Sequence, residues 1–348
     1  MKEISAGGDY IVAIKTDGTL RAWGYNEYGQ LGLGDNIDRN IPERVGSDSN
    51  WKAVFAGDMH SIAIKNDGTI WTWGLNNYGQ LGLGDNIDRN IPERVGSDSN
   101  WKAVAAGYVH TVAIKNAGTI WAWGENGYGQ LGLGNNIDRN IPERVGSYSN
   151  WKIVSAGCRN TAAINVSGEL WAWGNNEYGQ LGDGTYNDRN IPERVGSDSN
   201  WKAVAANEHT IAIKMNGELW VWGRNDMGQL GNGNANNQSS PYHVITINNL
   251  LKVSAGGLHT VAIKTDGSLW AWGDNRYGQL GSNKVTVSAF PIRIGNDGWA
   301  EISVGLFHTA AIDSDGKLWT WGDNYCGQLG DGTYNNRNTP TKVIVSAE

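Results

Sequence analysis

An all-β fold, a seven-bladed β-propeller of four-stranded antiparallel blades, is predicted by three features of the sequence. The phrase Trp-x-Trp-Gly, followed shortly by Gly-Gln-Leu-Gly, recurs in near-copies along the whole chain. In most copies Asp-Gly or a similar pair separates two short apolar runs, a strong local signal for a β-hairpin. The composition adds 49 Gly and 18 Trp, residues that favour tight turns and broad faces between packed sheets rather than a helical array.

The period of the repeat sets the number of blades. The copies of the phrase are spaced by 50, 50, 50, 49, 50 and 49 residues. They end at Trp23-Gly24, Trp73-Gly74, Trp123-Gly124, Trp173-Gly174, Trp222-Gly223, Trp272-Gly273 and Trp321-Gly322. A period this regular indicates units that stack against one another. We therefore expect a single propeller domain over residues 1–348, with repeats that start near residues 1, 51, 101, 151, 201, 251 and 299.

One cycle of the repeat contains four short apolar segments, which predict four strands. They lie at residues 41–45, 51–56, 60–65 and 69–73, and glycine-rich or polar residues separate them. About five residues join the first segment to the second, whereas about seventeen follow the fourth before the pattern begins again. The short linker favours a hairpin, and the long linker could cross between blades. We therefore expect each blade to begin with the strand that contains proline.

This grouping makes a prediction about how the ring closes. The chain opens without a proline strand and ends with one at residues 340–345. We expect that last strand to pair with the first strand of the chain, which would remove the open edges. All seven prolines occupy the same repeat position, namely Pro42, Pro92, Pro142, Pro192, Pro241, Pro291 and Pro340. Since proline removes a backbone donor, we interpret this position as structural.

Composition excludes several classes of function. The chain has 28 basic and 35 acidic residues, a net charge of −7, so we expect no nucleic-acid partner. Cys158 and Cys326 occupy different repeat positions and lack the spacing of metal ligands, so we interpret both as free thiols. No apolar run approaches the length of a membrane span, and no signal peptide is evident. We expect a soluble monomer without a membrane partner, cytoplasmic by default.

The repeat resembles the regulator of chromosome condensation family of seven-bladed propellers. The residues that carry the resemblance are Ala-Gly-x-x-His-Thr, as in residues 106–111, then Trp-x-Trp-Gly-x-Asn and Tyr-Gly-Gln-Leu-Gly. The combination covers all seven repeats. The resemblance implies a protein-binding propeller: the founding member exchanges nucleotide on a small nuclear GTPase and binds nucleosomes, and another relative inhibits a β-lactamase across one propeller face.

The recurring polar residues are better explained by structure than by chemistry. Histidines occupy one position in five repeats, at His60, His110, His209, His259 and His308. We expect each to bond to backbone within its own blade rather than to hold a metal. The loop at residues 32–40 lacks the spacing of a calcium loop. No catalytic constellation is evident, so we expect no catalytic, cofactor-binding or metal-binding residues, no cofactor and no enzymatic activity.

The turn before the histidine position varies from repeat to repeat, which makes it the candidate binding site. We expect partner contacts from Asp58, Met59, Tyr108, Val109, Cys158, Arg159, Asn207, Glu208, Leu258, Leu306 and Phe307. Turns at the rim of a propeller form a continuous face, and such faces recognise other proteins. The leading hypothesis is a non-enzymatic interaction scaffold. The alternatives are a guanine-nucleotide exchange regulator of a small GTPase, or an amplified or engineered propeller that has no selected partner.

Overall fold

The computed structural model describes residues 1–295 and 298–345, and within them the chain folds into seven four-stranded antiparallel sheets. The predicted fold class, a seven-bladed β-propeller, is confirmed. Within each sheet the strands are hydrogen-bonded in the order in which they occur along the chain. Each blade is therefore a simple meander, and the blades are numbered 1 to 7 from the N-terminus.

The four strands of each blade run from the central channel to the outer edge. The first, innermost strands are Glu3–Ala6, Trp51–Ala56, Trp101–Ala106, Trp151–Ala156, Trp201–Ala206, Leu250–Ala255 and Trp299–Val304. The second strands are Tyr10–Ile14, His60–Lys65, His110–Lys115, Asn160–Asn165, His209–Lys214, His259–Lys264 and His308–Asp313. The third strands are Leu20–Gly24, Ile70–Gly74, Ile120–Gly124, Leu170–Gly174, Leu219–Gly223, Leu269–Asp274 and Leu318–Gly322. The fourth, outermost strands are Arg39–Arg44, Arg89–Arg94, Arg139–Arg144, Arg189–Arg194, Gln238–Val244, Val287–Ile294 and Arg337–Val343.

The predicted grouping of strands into blades is wrong. The proline strand is the last strand of a blade, and it pairs with the third strand that precedes it rather than with the first strand that follows it. Pro92, for example, lies in the outermost strand, in the stretch where the pairing with Ile70–Gly74 shifts register. A proline in an edge strand leaves no ladder hydrogen bond unmade, which is consistent with the structural interpretation of this position.

The long linker does not cross between blades because it folds back on itself. In blade 2 the Asn76 amide lies at the centre of this linker. Its Nδ2 donates to the backbone oxygens of Asp85 and Ile87, at 3.0 and 3.1 Å, and its Oδ1 accepts from the Leu81 N–H. The Asp88 carboxylate in turn accepts from the Asn76 N–H at 2.7 Å. These bonds return the chain beside its own third strand.

The short linker is the one that joins successive blades. In residues 46–50 the chain runs inward against the hairpin turn of blade 1, and Trp51 N–H donates to the Gly18 oxygen. Six peptide units in extended form reach about 20 Å, which is enough to pass from the outer edge of one blade to the inner strand of the next. The long linker is therefore compact and stays within one blade, whereas the short linker is extended and spans the distance between blades.

The predicted pairing of the last strand with the first is also wrong. Strand Arg337–Val343 pairs with Leu318–Gly322 of its own blade, and Glu3–Ala6 pairs with Tyr10–Ile14. The ring closes instead by side-chain packing of blade 1 on blade 7, where Ile4, Ile11 and Trp23 meet residues such as Ile312 and Leu318. Cross-blade hydrogen bonds add to this contact, including Ala6 N–H to the Ser303 hydroxyl at 2.9 Å.

Adjacent blades are held together by a repeated set of buried side chains, which we call the interblade belt. In blades 2 and 3 it consists of His60, Thr111, Gln80 and the tryptophan Trp73. The Thr111 hydroxyl donates to the Gln80 oxygen at 2.9 Å and lies 3.0 Å from His60 Nε2, so it accepts from that nitrogen. The Trp73 Nε1–H donates to the Gln30 oxygen of blade 1 at 2.8 Å. All three bonds cross from one blade to the next, and the two glutamine oxygens belong to the backbone.

The histidines therefore do not bond to backbone within their own blade, as the sequence had suggested. Four of them contact a threonine of the following blade, in the pairs His60–Thr111, His110–Thr161, His209–Thr260 and His259–Thr309. Burial lowers the pKa of each of these imidazoles to about 3, so they remain neutral. Among residues 1–295 and 298–345, no group of three His, Cys, Asp or Glu side chains could hold a metal ion.

Candidate functional site

The candidate site surrounds one mouth of a central channel. The innermost strands line this channel with small side chains, at Ser5, Ala105, Ser155, Ala205, Ser254 and Ser303. Phe55 is the exception, because blade 2 places a full phenyl ring at this position. The channel has a volume of about 480 Å³. Several of the serines are engaged between blades, as when Ala56 N–H donates to the Ser5 hydroxyl at 2.8 Å, so the channel wall is already hydrogen-bonded.

The variable turns all lie at the same mouth, because each connects the end of a first strand to the start of a second. The first residue of the turn lines the channel opening, at Gly8, Asp58, Tyr108, Cys158, Asn207 and Leu306. The second residue of the turn directly precedes the second strand, at Asp9, Met59, Arg159, Glu208, Leu258 and Phe307. Backbone bonds connect neighbouring turns, such as Leu306 N–H to the Gly8 oxygen at 3.1 Å. We call these turn residues the rim.

One predicted rim residue faces the wrong way for binding. The Val109 side chain is only 3% exposed and packs into the protein. Tyr108, Met59, Arg159, Leu306 and Phe307 are half-buried rather than fully exposed. A β-branched apolar side chain such as valine has more to gain from the core than a tyrosine, whose hydroxyl stays near water.

A second ring of variable residues lies beside the rim and was missed by the sequence analysis. These are the residues directly after each Trp-Gly pair, namely Tyr25, Leu75, Glu125, Asn175, Arg224, Asp274 and Asp323. The backbone N–H of each donates to the oxygen of the second turn residue of its own blade, as in Glu125 to Val109 at 2.9 Å. The signal was present in the sequence, because seven repeats carry six different residue types at this position.

Blades 3 to 5 form a sector of aromatic and charged groups. The Arg159 guanidinium lies 5.0 Å from the ring centre of Tyr128 and 5.9 Å from that of Tyr108. Its Nε lies 3.7 Å from a Glu125 carboxylate oxygen. In blade 5, Arg224 pairs with Glu208 at 2.5 Å and lies over a tyrosine in the same way. Stacking of arginine on tyrosine holds these long side chains in place before any partner arrives.

Blades 6 and 7 form an apolar sector. Leu258, Leu306 and Phe307 follow one another around the rim, and the Phe307 ring lies 5.2 Å from the ring of Tyr277. Half-buried aromatic and aliphatic side chains grouped in this way are typical anchors in protein interfaces.

Blades 1 and 2 form an acidic sector. Burial raises the pKa of Asp9 to about 6, and the charge of Asp323 adds to the effect. Burial also raises the pKa of Asp58 to about 7, with a further contribution from the charge of Asp9. Two carboxyl groups that share this side of the rim therefore titrate near neutral pH.

The two cysteines are free, in agreement with the sequence analysis. Burial raises the pKa of the Cys158 thiol, and the nearby charge of Glu208 raises it further, to about 12. Burial also raises the pKa of Cys326 to about 12. A thiol with such a pKa stays protonated at neutral pH and is a poor nucleophile. Cys158 therefore contributes a small half-buried side chain to the rim.

The loop at residues 32–40 uses its oxygen atoms internally. Asp35 accepts from the Ile37 N–H and pairs with Arg39 at 2.7 Å, and Asp38 accepts from the Asn26 N–H. These local bonds account for the acidic residues that the loop repeats.

The fold and the rim define a seven-bladed propeller that presents one variable face. Sequence comparison assigns the family: an RCC1-like domain model matches residues 1–207, and the regulator of chromosome condensation (RCC1) repeat matches residues 216–263, 266–312 and 315–348. The chain belongs to the RCC1-like domain family, and the resemblance stated above is confirmed. Within residues 1–295 and 298–345, no helix has the length and apolar character that a membrane span requires.

Solved structures share the fold over nearly the whole chain. Human WBSCR16 matches with a TM-score of 0.85 at 23% identity, over 94% of this chain and 95% of that one. Yeast RCC1 (Prp20), in complex with Kap60, matches with a TM-score of 0.87 at 20% identity, over 96% and 85% of the two chains. Prp20p from Saccharomyces cerevisiae was also examined for binding to Gsp1p and histones.

Two curated relatives match over about the length of one repeat. The ultraviolet-B receptor UVR8 of Arabidopsis thaliana is 46% identical over 52 residues, which are 15% of this chain and 12% of the receptor. Ras guanine nucleotide exchange factor C of Dictyostelium discoideum is 49% identical over 45 residues, 13% of this chain and 3% of that protein. This chain therefore spans a small part of the length of these relatives. RCC1-like propellers with solved structures include interaction proteins, such as the yeast protein bound to Kap60.

Proposed function

We propose that this protein, as one propeller domain over residues 1–348, is a non-enzymatic interaction scaffold that binds a protein partner on its rim. The observation that supports the proposal is the contrast in side chains among the seven turns that join the first and second strands of the blades. They carry an acidic sector at Asp9 and Asp58, an aromatic and cationic sector at Arg159, and an apolar sector at Phe307. A mixed surface of this kind, with aromatic and arginine anchors, suits protein recognition.

The apolar and aromatic groups would provide the main contact area. Tyr108, Leu306 and Phe307 are half-buried in the free protein, so their rotamers are already restricted, which lowers the entropy lost on binding. The charged groups would set partner orientation and association rate more than affinity. No reaction is proposed, because the rim thiol of Cys158 is protonated at neutral pH and the belt histidines are buried and neutral.

The proposal is tested with a triple variant, Tyr108→Ala, Leu306→Ala and Phe307→Ala. Partners captured by the intact propeller are purified and titrated against both proteins. We expect the variant to bind at least about tenfold more weakly, since interface anchors of this size contribute about 2 kcal/mol or more each. The matched control carries Ile41→Ser and Ile91→Ser on the outer strands, where each isoleucine is 50% exposed and blade 5 has a serine at the equivalent position. Equal affinities for the triple variant and the intact protein would rule out the rim.

Nucleotide exchange on a small GTPase is the second candidate. It is suggested by the fold shared with Prp20p, which was examined for binding to Gsp1p. Release of a fluorescent guanine nucleotide from a panel of small GTPases would separate the two proposals. Faster nucleotide release with the intact protein, lost with the rim variant, would support exchange activity at the rim. If no GTPase of the panel released nucleotide faster, only the scaffold proposal would remain.

A further inference from the structure

At the ends of the blades opposite the rim, three blades bind the ammonium group of one of their own lysines between two tryptophan rings. In blades 2, 3 and 5 the last residue of the second strand is a buried lysine, Lys65, Lys115 or Lys214. Lys115 Nζ lies 3.7 Å from the ring centre of Trp121 and 4.6 Å from that of Trp101. The same nitrogen pairs with the Asp98 carboxylate of the preceding linker at 2.7 Å.

Two forces hold the lysine in this position. The faces of the two indoles attract the cation, and the attraction is stronger because the ammonium is largely removed from water. The carboxylate accepts an N–H bond that the indoles cannot accept. In blade 2, Lys65 repeats the arrangement with Trp51, Trp71 and Asp48, at 4.7, 3.7 and 2.7 Å. In blade 5, Lys214 repeats it again.

Blade 4 has both indoles but no lysine at this position. Trp151 and Trp171 lie 5.9 Å apart between ring centres, at an angle of 84°, as in the blades that hold a lysine. Asn165 takes the place of the lysine, and its amide is turned away onto the hairpin of its own blade. Its Nδ2 donates to Glu169 at 2.6 Å, and its Oδ1 accepts from the backbone N–H groups of Ser167 and Glu169.

The linker aspartate is replaced by an aromatic ring in the same blade. Tyr148 stands where blades 2, 3 and 5 have Asp48, Asp98 and Asp198. Its ring centre lies 6.2 Å from that of Trp151 and 5.8 Å from that of Trp171, at angles of 87° and 49°. Tyr148 is 54% exposed and lies on the linker of residues 146–150, so solvent reaches one side of its ring. Trp171 Nε1 has no hydrogen-bond partner, whereas Trp121 Nε1 donates to Thr119.

We propose that the three rings of blade 4, Tyr148, Trp151 and Trp171, form a binding site for an alkylated ammonium group. The two indoles supply the surface that holds lysine Nζ elsewhere in this molecule, and Tyr148 closes over the cation as a third wall. An unmodified ammonium is disfavoured because Tyr148 replaces the linker aspartate that accepts its N–H bonds in blades 2, 3 and 5, and a buried unpaired donor is costly. The nearby Glu169 carboxylate is already engaged by Asn165 and Arg194. A trimethylated ammonium has no N–H to satisfy, and its methyl groups suit an aromatic wall.

Blade 7 shows what distinguishes this site. It also keeps two indoles, Trp299 and Trp319, with ring centres 6.0 Å apart. There Asp313 takes the place of the lysine and accepts from Trp319 Nε1 at 2.9 Å. In blade 5 the His243 ring stacks on Trp220 at 4.9 Å, beside the lysine-filled pair. Within residues 1–295 and 298–345, a ring from the preceding linker contacts both members of such an indole pair in blade 4 alone, where Tyr148 contacts Trp151 and Trp171.

The test uses intrinsic tryptophan fluorescence and calorimetry on the full chain. The probes are a short peptide with trimethyllysine, the same peptide with unmodified lysine, choline, and 3,3-dimethylbutanol, which is the uncharged isostere of choline. We expect the trimethylated peptide or choline to bind at least about tenfold more tightly than the unmodified peptide and the uncharged isostere, a difference of about 1.4 kcal/mol. If the trimethyllysine peptide bound more tightly than choline, the natural ligand would be a methylated side chain. If the two bound equally, it would be a free quaternary ammonium compound.

The matched variant restores the internal cation of the neighbouring blades. Asn165→Lys combined with Tyr148→Asp gives blade 4 the lysine and aspartate that fold correctly in blades 2, 3 and 5. We expect this variant to remain stable and to lose binding of all alkylated ammonium probes by at least about tenfold. Tyr148→Asp alone should retain weak binding through the two indoles. Binding that is unchanged in the double variant, or that is equal for choline and its uncharged isostere, would overturn the proposal.

Discussion

The interblade belt and the rim occupy the same seven repeats, but they differ in how freely the side chains vary. In the belt, the histidine, threonine and tryptophan side chains contact the adjacent blade, the last two by donating to a glutamine backbone oxygen, so a change on one blade leaves a buried partner unsatisfied on the next. At the rim, backbone bonds join neighbouring blades, and side-chain contacts such as that of Arg159 with Tyr128 are made at half-buried positions beside the channel mouth. Side chains can therefore vary more freely at the rim, where backbone hydrogen bonds join the blades, than in the belt.

The largest effect is expected from a belt tryptophan. Trp73 is fully buried, and its Nε1–H donates to the Gln30 oxygen of blade 1. Trp73→Ala removes a large packed side chain and should lower the free energy of unfolding by about 3–5 kcal/mol. Denaturant unfolding followed by circular dichroism measures the loss. A rim substitution such as Phe307→Ala serves as the comparison, and a similar loss for both would contradict the division between belt and rim.

A threonine substitution at two equivalent positions sharpens the comparison within the belt. Thr111→Val leaves both the His60 Nε2–H and the Gln80 oxygen without the partner that they have now. It should cost about 1–3 kcal/mol. Thr210→Val lies at the interface of blades 4 and 5, where Asn160 makes no bond to the threonine hydroxyl. This substitution should therefore lower the free energy of unfolding by about 1 kcal/mol less than Thr111→Val does. Equal losses of stability would mean that the histidine contact contributes nothing.

The irregular belt position of blade 4 can be repaired. Both polar atoms of the Asn160 side chain are buried without a hydrogen-bond partner. Asn160→His should let an imidazole reach Thr210 as His110 reaches Thr161, and should stabilise the protein by about 1 kcal/mol. Thermal unfolding of the two proteins side by side measures the gain. A lower midpoint for the variant would show that the asparagine is accommodated by packing that the histidine disturbs.

The last prediction concerns the effect of pH on stability at the rim. The folded protein raises the pKa of Asp58 from 3.8 to about 7, chiefly by burial. Between these values the folded state holds a proton that the unfolded chain has released, so stability is greatest below the window and falls as pH rises through it. Asp58→Asn cannot ionise, so its stability should fall less between pH 4 and pH 7. Parallel pH profiles of the two proteins would contradict the assignment to Asp58.

The fold class could be predicted from the sequence because period, hairpin signals and composition agreed. The grouping of strands into blades could not be predicted, because linker length does not show whether a linker spans a distance or folds back. Asn76 determines that outcome through four bonds made by residues up to twelve positions apart. The partner of His60 was missed for a similar reason, since Thr111 lies 51 positions away and belongs to another blade.

The candidate site was predicted in part. The varying turns indicated the rim, and the structure brings their residues to one channel mouth. Val109 was included because turn position alone does not reveal that its side chain packs inward. The second ring at Glu125 and Arg224 was missed because its proximity to the rim depends on third strands ending beside the turns. Comparison of the same position across seven repeats would have found it.

We propose that the belt stabilises the fold and that the rim binds the partner. The most direct test measures both stability and partner affinity for two variants. One is Thr111→Val, and the other is the rim triple variant Tyr108→Ala, Leu306→Ala and Phe307→Ala. We expect Thr111→Val to lose stability and to bind the purified partner with a Kd within about twofold of the original, at a temperature where it is folded. The rim variant should lose at least about tenfold in affinity and stay within about 1 kcal/mol in stability. An unchanged Kd for the rim variant, or a weakened one for Thr111→Val, would contradict the account.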